Sequence, residues 1–323
     1  MSATRGLLTA AVATAAFLTM NAAAADYPDR AVKIVVPFAA GSGTDVVARA
    51  AGAALATRMG VAVTIENRVG ANGAVGTAAV AKAAPDGYTL LATSNPFTLA
   101  PHTMKAPTFD PLKDFVAVAR IAVIPLALVT SSKSSFKTFD DLVAYLRQNP
   151  GKARYATAGK GTLSHLEAEV INQYLKVRAQ DQPYRSGEDA LAAAASGKAD
   201  FFLANLPMAL AQLNAGSLRA LAVGSGERMP NMPNIPTLAE VMRRPVYEAN
   251  VWYGLVAPTG TPVPVLTRLE DELDLELRVP AVSARIESVG GRVAFLRSAP
   301  FGGQIRFEHA KWQQAVKGLQ PLQ

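Results

Sequence analysis

The sequence contains no cysteine. That excludes a disulfide framework, a thiolate metal site, a cysteine nucleophile and a lipid-modified N-terminal cysteine. Histidine is scarce: His102, His165 and His309 are the full complement. None stands at metal-ligand spacing from another histidine or a suitable carboxylate cluster, so neither metal nor cofactor is expected. Beyond the N-terminus there is no long apolar run. Val116 to Thr130 comes nearest, but Arg120 and Pro125 interrupt it and it is shorter than the roughly 20 residues a membrane-spanning helix needs. The formal net charge is +7, yet the basic residues are scattered and form no stripe with interleaved aromatics. Nucleic acid is therefore not the expected partner, and a small anion drawn by a weak positive field fits better.

Half of the 323 residues are hydrophobic, enough to build two domains. Residues Met1 to Asn21 hold one basic residue, Arg5, followed by an apolar stretch from Leu7 to Met20. Small residues follow at Ala22 to Ala25. This reads as an export signal, residues 1–25, cleaved after Ala25, and predicts a mature protein free in the periplasm or outside the cell. A permanent anchor is the alternative, and the apolar stretch is too short for it.

The mature chain alternates between two periodicities. Short β-branched runs predict strands at Val32 to Val36, Val61 to Ile65, Tyr88 to Thr93, Ala153 to Thr157, Asp200 to Leu203, Leu218 to Val223 and Val251 to Val256. Helical spacing falls between them, with Val47, Ala50, Ala51 and Ala54 on one face and Leu163, Leu166, Val170 and Tyr174 on another. This alternation predicts α/β architecture with parallel strands. Ser186-Gly-Glu-Asp189 predicts a capping box for a helix ending at Gly197. Pro28, Pro37, Pro85, Pro101, Pro111 and Pro150 are expected between elements, and Ser225 to Pro236 reads as a long connection.

Two strand-to-helix turns echo one another: Gly41-Ser-Gly43-Thr44 and, 118 residues later, Gly159-Lys-Gly161-Thr162. Small residues there let main-chain N–H groups point outward at a helix N-terminus, which favours an anion. Neither turn is built for a nucleotide. A dinucleotide fingerprint needs glycine where Val46 stands, and no lysine follows Gly43 as a P-loop requires. In the second turn Lys160 is followed by Gly161 where serine or threonine is needed, and Arg154 replaces the leading glycine. Ser134 to Lys137 matches Ser-x-x-Lys, but its companion motifs are missing and chance explains it. Ser164 and His165 are adjacent, so on a helix they diverge by about 100° and cannot pair as nucleophile and base. The acidic run from Glu270 to Glu276 reads as a solvated helix face opposite Leu269, Leu273 and Leu277. No constellation argues for catalysis.

Several segments taken in order resemble the Bug-type periplasmic solute receptors of tripartite tricarboxylate transporters. They are Tyr27-Pro-Asp-Arg30, Pro37 to Asp45 with Arg49, Glu66-Asn-Arg68, Ala84-Pro-Asp-Gly-Tyr-Thr-Leu90, Tyr155-Ala-Thr-Ala-Gly159 leading to Ser164-His165-Leu166, Asn205-Leu-Pro207, Leu218 to Val223 and Ala257-Pro-Thr-Gly-Thr-Pro262. The resemblance implies a type II periplasmic-binding-protein fold: two α/β lobes joined by two crossover strands, with the ligand cleft between them. Lobe one would take residues 26–124 and 227–323, and lobe two residues 125–226. Hinges are expected near Ile124 to Leu126 and Val223 to Ser225. The implied ligand-binding residues are Phe38, Gly41, Ser42, Gly43, Thr44 and Asp45, with Ser94 and Asn95, in lobe one. In lobe two they are Gly159, Lys160, Gly161, Thr162, Ser164 and His165, with Tyr184 and Asn205. Asp45 has an alternative role as the acidic charge at its own helix N-terminus, and His165 as a structural cap.

Two departures from the family pattern bear on the ligand. Ala39-Ala40 stand where prolines are usual, followed by Gly41-Ser42, and Ala204 stands where an acidic residue commonly precedes the asparagine. The expected function is capture of a small carboxylate for delivery to the transporter's membrane permease subunits, as a monomer and without catalysis. A receptor feeding a membrane sensor kinase, or a periplasmic enzyme acting on a small acid, are the alternatives.

Overall fold

The computed structural model describes residues 27–104 and 106–316; the expected export signal, residues 1–25, lies outside them. Within the described residues ten strands form one curled sheet in an α/β fold. They are β1 (Val32–Val36), β2 (Val63–Asn67), β3 (Thr89–Ser94), β4 (Phe115–Ser131), β5 (Arg154–Thr157), β6 (Gln180–Pro183), β7 (Phe201–Asn205), β8 (Leu218–Val223), β9 (Asn250–Pro258) and β10 (Arg292–Arg297). β4 organises the rest. Its 17 residues pair with β9 as far as Pro125 opposite Asn250, then change partner, with Leu126 opposite Asn205 of β7 and Ala127 opposite Val223 of β8. The first half belongs to a sheet ordered β2-β1-β3-β9-β4 with β10 on the far edge. The second half belongs to a sheet in which β8, β4, β7, β5 and β6 are joined. Proline, which has no N–H to offer, sits where the partners change.

The apolar run that reads as an interrupted segment in the sequence is therefore the strand common to both sheets. Its residues are buried on both faces, so it shows no alternation. Arg120 is accommodated because its guanidinium donates to the Ala294 carbonyl (3.0 Å), Gln304 Oε1 (2.8 Å) and Glu248 Oε2 (3.2 Å). β6 and β10 were not expected from the sequence either. β6 reads Gln-Asp-Gln-Pro, and only its place beside β5 makes it a strand.

Each sheet is covered on two faces. Ile34, Leu90, Ile121 and Leu255 pack with Val47, Leu55 and Leu269, while Val35, Leu91 and Val256 pack with Phe97, Trp252 and Phe301 on the other side. In the second sheet Leu128, Tyr155 and Leu203 face one core, and Val129, Ala156 and Phe202 the other. Leu238, Ala239, Met242 and Tyr247 join the second core, as do Trp312 and Ala315. Part of the stretch expected with lobe one thus packs on the second sheet, and the last helix, Ser298–Ala315, touches both: its Phe301 and Ile305 lie in the first core.

Local signals hold with amendments. Ser186 caps its helix through Asp189 N–H, and Gly197 ends that helix in the left-handed region, although Ser186 supplies only half of the expected capping box. Complete boxes occur at Thr138 with Asp141 and Thr237 with Glu240. Pro101 lies inside the helix Pro96–Thr103, not between elements. Tyr174 is 40% exposed and stacks on the Arg244 guanidinium, so it leaves the expected buried face. Glu272 is buried and ion-paired to Arg58 (2.7 Å) and Arg268 (3.2 Å), which takes it out of the solvated acidic face.

Three backbone segments meet beside Pro125. Gly224 N–H donates to Leu126 O (2.7 Å), Leu126 N–H to Ala249 O (2.9 Å), and Ala249 N–H to Gly224 O (2.9 Å), closing a ring. A methyl on Gly224 would overlap the Ala249 carbonyl. Gly224→Ala is expected to lower unfolding free energy by about 3 kcal/mol or more, an overpacking cost with backbone as the obstacle. Urea denaturation measures it, and wild-type stability in the variant would refute the close approach.

Candidate functional site

Strand direction puts both glycine turns at the crossing. β1 and β3 run parallel, β9 runs against β3, and β4 runs against β9. So β1, β3 and β4 end on the same side, where β4 leaves through Pro125. The turn after β1 lies there, as do Ser94, the last residue of β3, and Asn95 after it. In the second sheet β7 runs against β4 with Asn205 opposite Leu126, and β5 and β6 run with β7. The turn after β5 therefore sits where β4 enters. Two helix N-termini, those of Gly43–Met59 and Leu163–Leu175, flank the crossing from opposite lobes.

The turns share a construction that the sequence motif displaces by two residues. Gly41 has φ +82° and its N–H donates to Asp45 Oδ2 (2.9 Å); Gly161 has φ +77° and its N–H donates to His165 Nδ1 (3.0 Å). Each is followed by the N-cap residue, Ser42 or Thr162. Gly41 therefore corresponds to Gly161, and not to Gly159. Both glycines need the left-handed region. In both, the glycine N–H is taken by a side chain four residues on.

Asp45 is committed to its own loop. Its carboxylate also accepts from Arg49 Nε (2.9 Å) and Asn67 Nδ2 (2.8 Å), and Asn67 Nδ2 donates as well to the Phe38 carbonyl (3.0 Å). Burial opposes its charge, but the bonds from Arg49, Gly41 and Asn67 prevail and hold its pKa below the ordinary carboxylate value. The carboxylate thus fixes the turn in which it stands.

The other expected residues divide. Ser42 Oγ accepts from Asp45 N–H (3.3 Å), which leaves the N–H groups of Gly43 and Thr44 without a protein acceptor among the described residues. Thr162 does not cap: its hydroxyl donates to the Gly159 carbonyl (2.7 Å) and lies 3.1 Å from Ser164 Oγ. The helix Leu163–Leu175 thus starts without a side-chain cap, and such a terminus carries partial positive charge. Lys160 is exposed beside it, and Gly159 N–H turns back to Thr157 Oγ1 (3.3 Å). Asn95 is not available. Its amide donates to the Asn250 carbonyl (3.1 Å) and Glu308 Oε1 (3.0 Å), and its oxygen accepts from Trp252 N–H (3.2 Å). Phe38 packs against Gly73. Tyr184 lines a groove with Arg185, Asp189 and Lys198 beside the helix Gly187–Ser196, and Asn205 is exposed at the start of the helix Leu206–Asn214. The Ser134–Lys137 match is local: the ammonium donates to the Ser134 carbonyl, not to its hydroxyl.

A family model described as the tripartite tricarboxylate transporter family receptor matches residues 47–317. The chain belongs to that receptor family. Protein BugT of Bordetella pertussis is 31% identical over 293 residues, covering 90% of each chain. Two solved structures from Rhodopseudomonas palustris are also similar. Rpa4515 with adipate is 29% identical, with 90% of this chain and 97% of that one covered and a TM-score of 0.65. MatC with bound malate is 30% identical, with 90% and 100% covered and a TM-score of 0.62. The architecture is accordingly the two-lobed fold of solute-binding receptors. No described helix of the receptor is long and apolar enough to cross a membrane, and no group of three potential metal ligands occurs among the described residues.

In this receptor three further residues shape the site. Asn67 ties the first turn together; it stands in the Glu66-Asn-Arg68 segment, but only the fold shows what it reaches. Asp181 approaches His165 from β6, with Oδ2 3.9 Å from Nε2, while Oδ1 accepts from Thr157 Oγ1 (3.0 Å). Tyr253, on β9 opposite Ser94, puts its ring under Gly43. No sequence signal separates Tyr253 from other strand aromatics.

His165 is 2% exposed and stacks on Tyr155. Because Nδ1 accepts from Gly161, the proton of the neutral ring is on Nε2. Burial lowers its pKa below 6.5, outweighing the opposite pull of Asp181 and Glu169, and nearby Lys160 adds to the lowering. A depressed folded value means the unfolded chain binds the proton first as pH falls. Stability from His165 is thus full above about pH 6.5 and declines below it. Between about pH 7.5 and 5 the thermal midpoint of the wild type should fall more than that of His165→Gln. Parallel curves would show that folding does not lower the proton affinity of His165 and would refute the shift.

Proposed function

We propose that this receptor captures a small carboxylate in the periplasm, closes its lobes on it, and delivers it to the membrane subunits of a tripartite tricarboxylate transporter. The observation that carries the reading is the pair of helix N-termini at the crossing, one of them without a side-chain cap. Desolvated N–H groups at such termini suit an anion and give no means of catalysis by themselves. The ligands named with similar receptors, adipate and malate, are small dicarboxylates. Closure would turn on Ile124 to Leu126 and Val223 to Ser225, the segments that meet in the backbone ring. The site would draw on Gly43, Thr44 and Ser94 in one lobe and on Lys160, Gly161, Thr162 and Ser164 in the other. Gly161 contributes by its left-handed backbone, since its N–H is already held by His165.

The test is the thermal midpoint of residues 26–323 with mono-, di- and tricarboxylates and with the corresponding amides. A ligand at about 1,000 times its Kd stabilises the native state by roughly 4 kcal/mol. At roughly 2 °C or more per kcal/mol, the shift should reach about 8 °C. A response to one acid and not to its amide is expected. No response to any carboxylate, after refolding to strip retained ligand, would defeat the proposal.

A further inference from the structure

We infer that the Tyr253 hydroxyl is a ligand-binding group, donating to the anion at the N-terminus of the first helix. The inference rests on the carboxylate reading and adds a residue to its lobe-one half. Tyr253 is 7% exposed, its ring held in the core beneath the helix Gly43–Met59. Its oxygen lies where a side chain on Gly43 would begin: a Cβ there would stand 2.5 Å from it. Gly43 is the first helical residue, and its N–H is one of the two without a protein acceptor. The phenol therefore reaches the helix terminus because the residue above it has no side chain.

No hydrogen-bond partner for the Tyr253 hydroxyl is found among the described residues. The same holds for Ser94, its cross-strand neighbour and 5% exposed, and for Thr44, also 5% exposed. Directly opposed residues in an antiparallel pair project to one face of the sheet, so Ser94 lies on the same face as the phenol. None of these oxygens is among the fully buried side-chain atoms that lack a partner, so each keeps a path to solvent while its residue is packed, and phenylalanine would fill the ring's place without presenting a donor there. The charged side chain of this turn, Asp45, is taken up by Gly41, Arg49 and Asn67. What remains is a recess of neutral donors, two N–H groups and the hydroxyls. Burial pushes the phenol pKa up to about 12, so it keeps its proton and stays a donor. The chemistry that such a recess recognises is a carboxylate oxygen placed between a phenol O–H and a backbone N–H.

Calorimetric titration of wild type and Tyr253→Phe with acetate, malate, adipate and citrate, together with the midpoint of the free proteins, tests this. The expected result is an unchanged free midpoint and an affinity about tenfold or more weaker for each acid that the wild type binds, the effect of removing a hydrogen bond to a charged group. Equal affinity in the two proteins overturns the assignment of Tyr253 alone. A lower free midpoint with equal affinity shows the hydroxyl to be structural and also overturns it. If the wild type binds none of the four, the carboxylate reading fails and the assignment with it.

Discussion

The ring of backbone hydrogen bonds through Leu126, Gly224 and Ala249 is the constraint on which the rest of the molecule depends. It lies where β4 passes from one sheet into the other, and each of the three segments supplies one donor and one acceptor. No side chain takes part, so its geometry is set by how closely three main chains can approach. Gly224 makes that approach possible, and Pro125 removes a donor where the partner strands change. Since β4 keeps its direction through the crossing, the β1 and β5 turns are bound to face each other. The site thus follows from strand order before any ligand-facing side chain is considered. The last helix works within the same constraint. Phe301 and Ile305 fasten one end to the first core and Trp312 the other end to the second, while Lys311 pairs with the buried Glu167 of lobe two (2.7 Å).

The two turns show how one backbone device can serve different ends. In each, a left-handed glycine turns its N–H inward to a side chain on the next helical turn, which fixes the loop without using the helix's own first donors. In lobe one that side chain is a carboxylate satisfied by an arginine and an asparagine. In lobe two it is a neutral imidazole whose other nitrogen points toward a carboxylate just beyond hydrogen-bond reach. Lobe one is therefore locked by charge-assisted bonds. Lobe two is held by a group that must stay unprotonated.

The sequence made the alternation of strands and helices legible, and with it both turns, because β-branched runs and paired glycines are local signals. β1 and β8 have the expected bounds, and β2 is displaced by two residues. β4 was hidden by being buried on both faces, which removes the alternation that marks a half-buried strand, and by an arginine whose partners lie at Glu248 and Gln304. β6 was hidden by polarity. Within the site the same division holds. The places of Ser42, Gly43, Thr162 and Ser164 could be read, but which of their atoms remain unpaired could not. Asn95 illustrates why: its amide is occupied by Glu308, 213 residues away. The available donors are those left over after distant partners have taken theirs, and a sequence does not state the remainder.

That remainder bears on how a receptor with this site could both hold and release its ligand. One helix N-terminus is worth about 0.3–1 kcal/mol to an exposed anion and about 2 kcal/mol when partly buried. Either lobe alone would therefore bind weakly in the open state. Closure would remove water from both termini together, and each hydrogen bond to the charged group would then contribute about 1.5–3 kcal/mol. In the lobe-one recess the donors are neutral: dipoles and hydroxyls act only at contact distance, whereas the exposed Lys160 of lobe two attracts the anion with the lobes apart. With Asp45 and Arg49 tied to each other (2.9 Å), the first turn keeps its charges paired and its donors free. On the proposed reading, affinity then depends on lobe closure, and a membrane partner that pulls the lobes apart removes most of it without having to compete for the carboxylate.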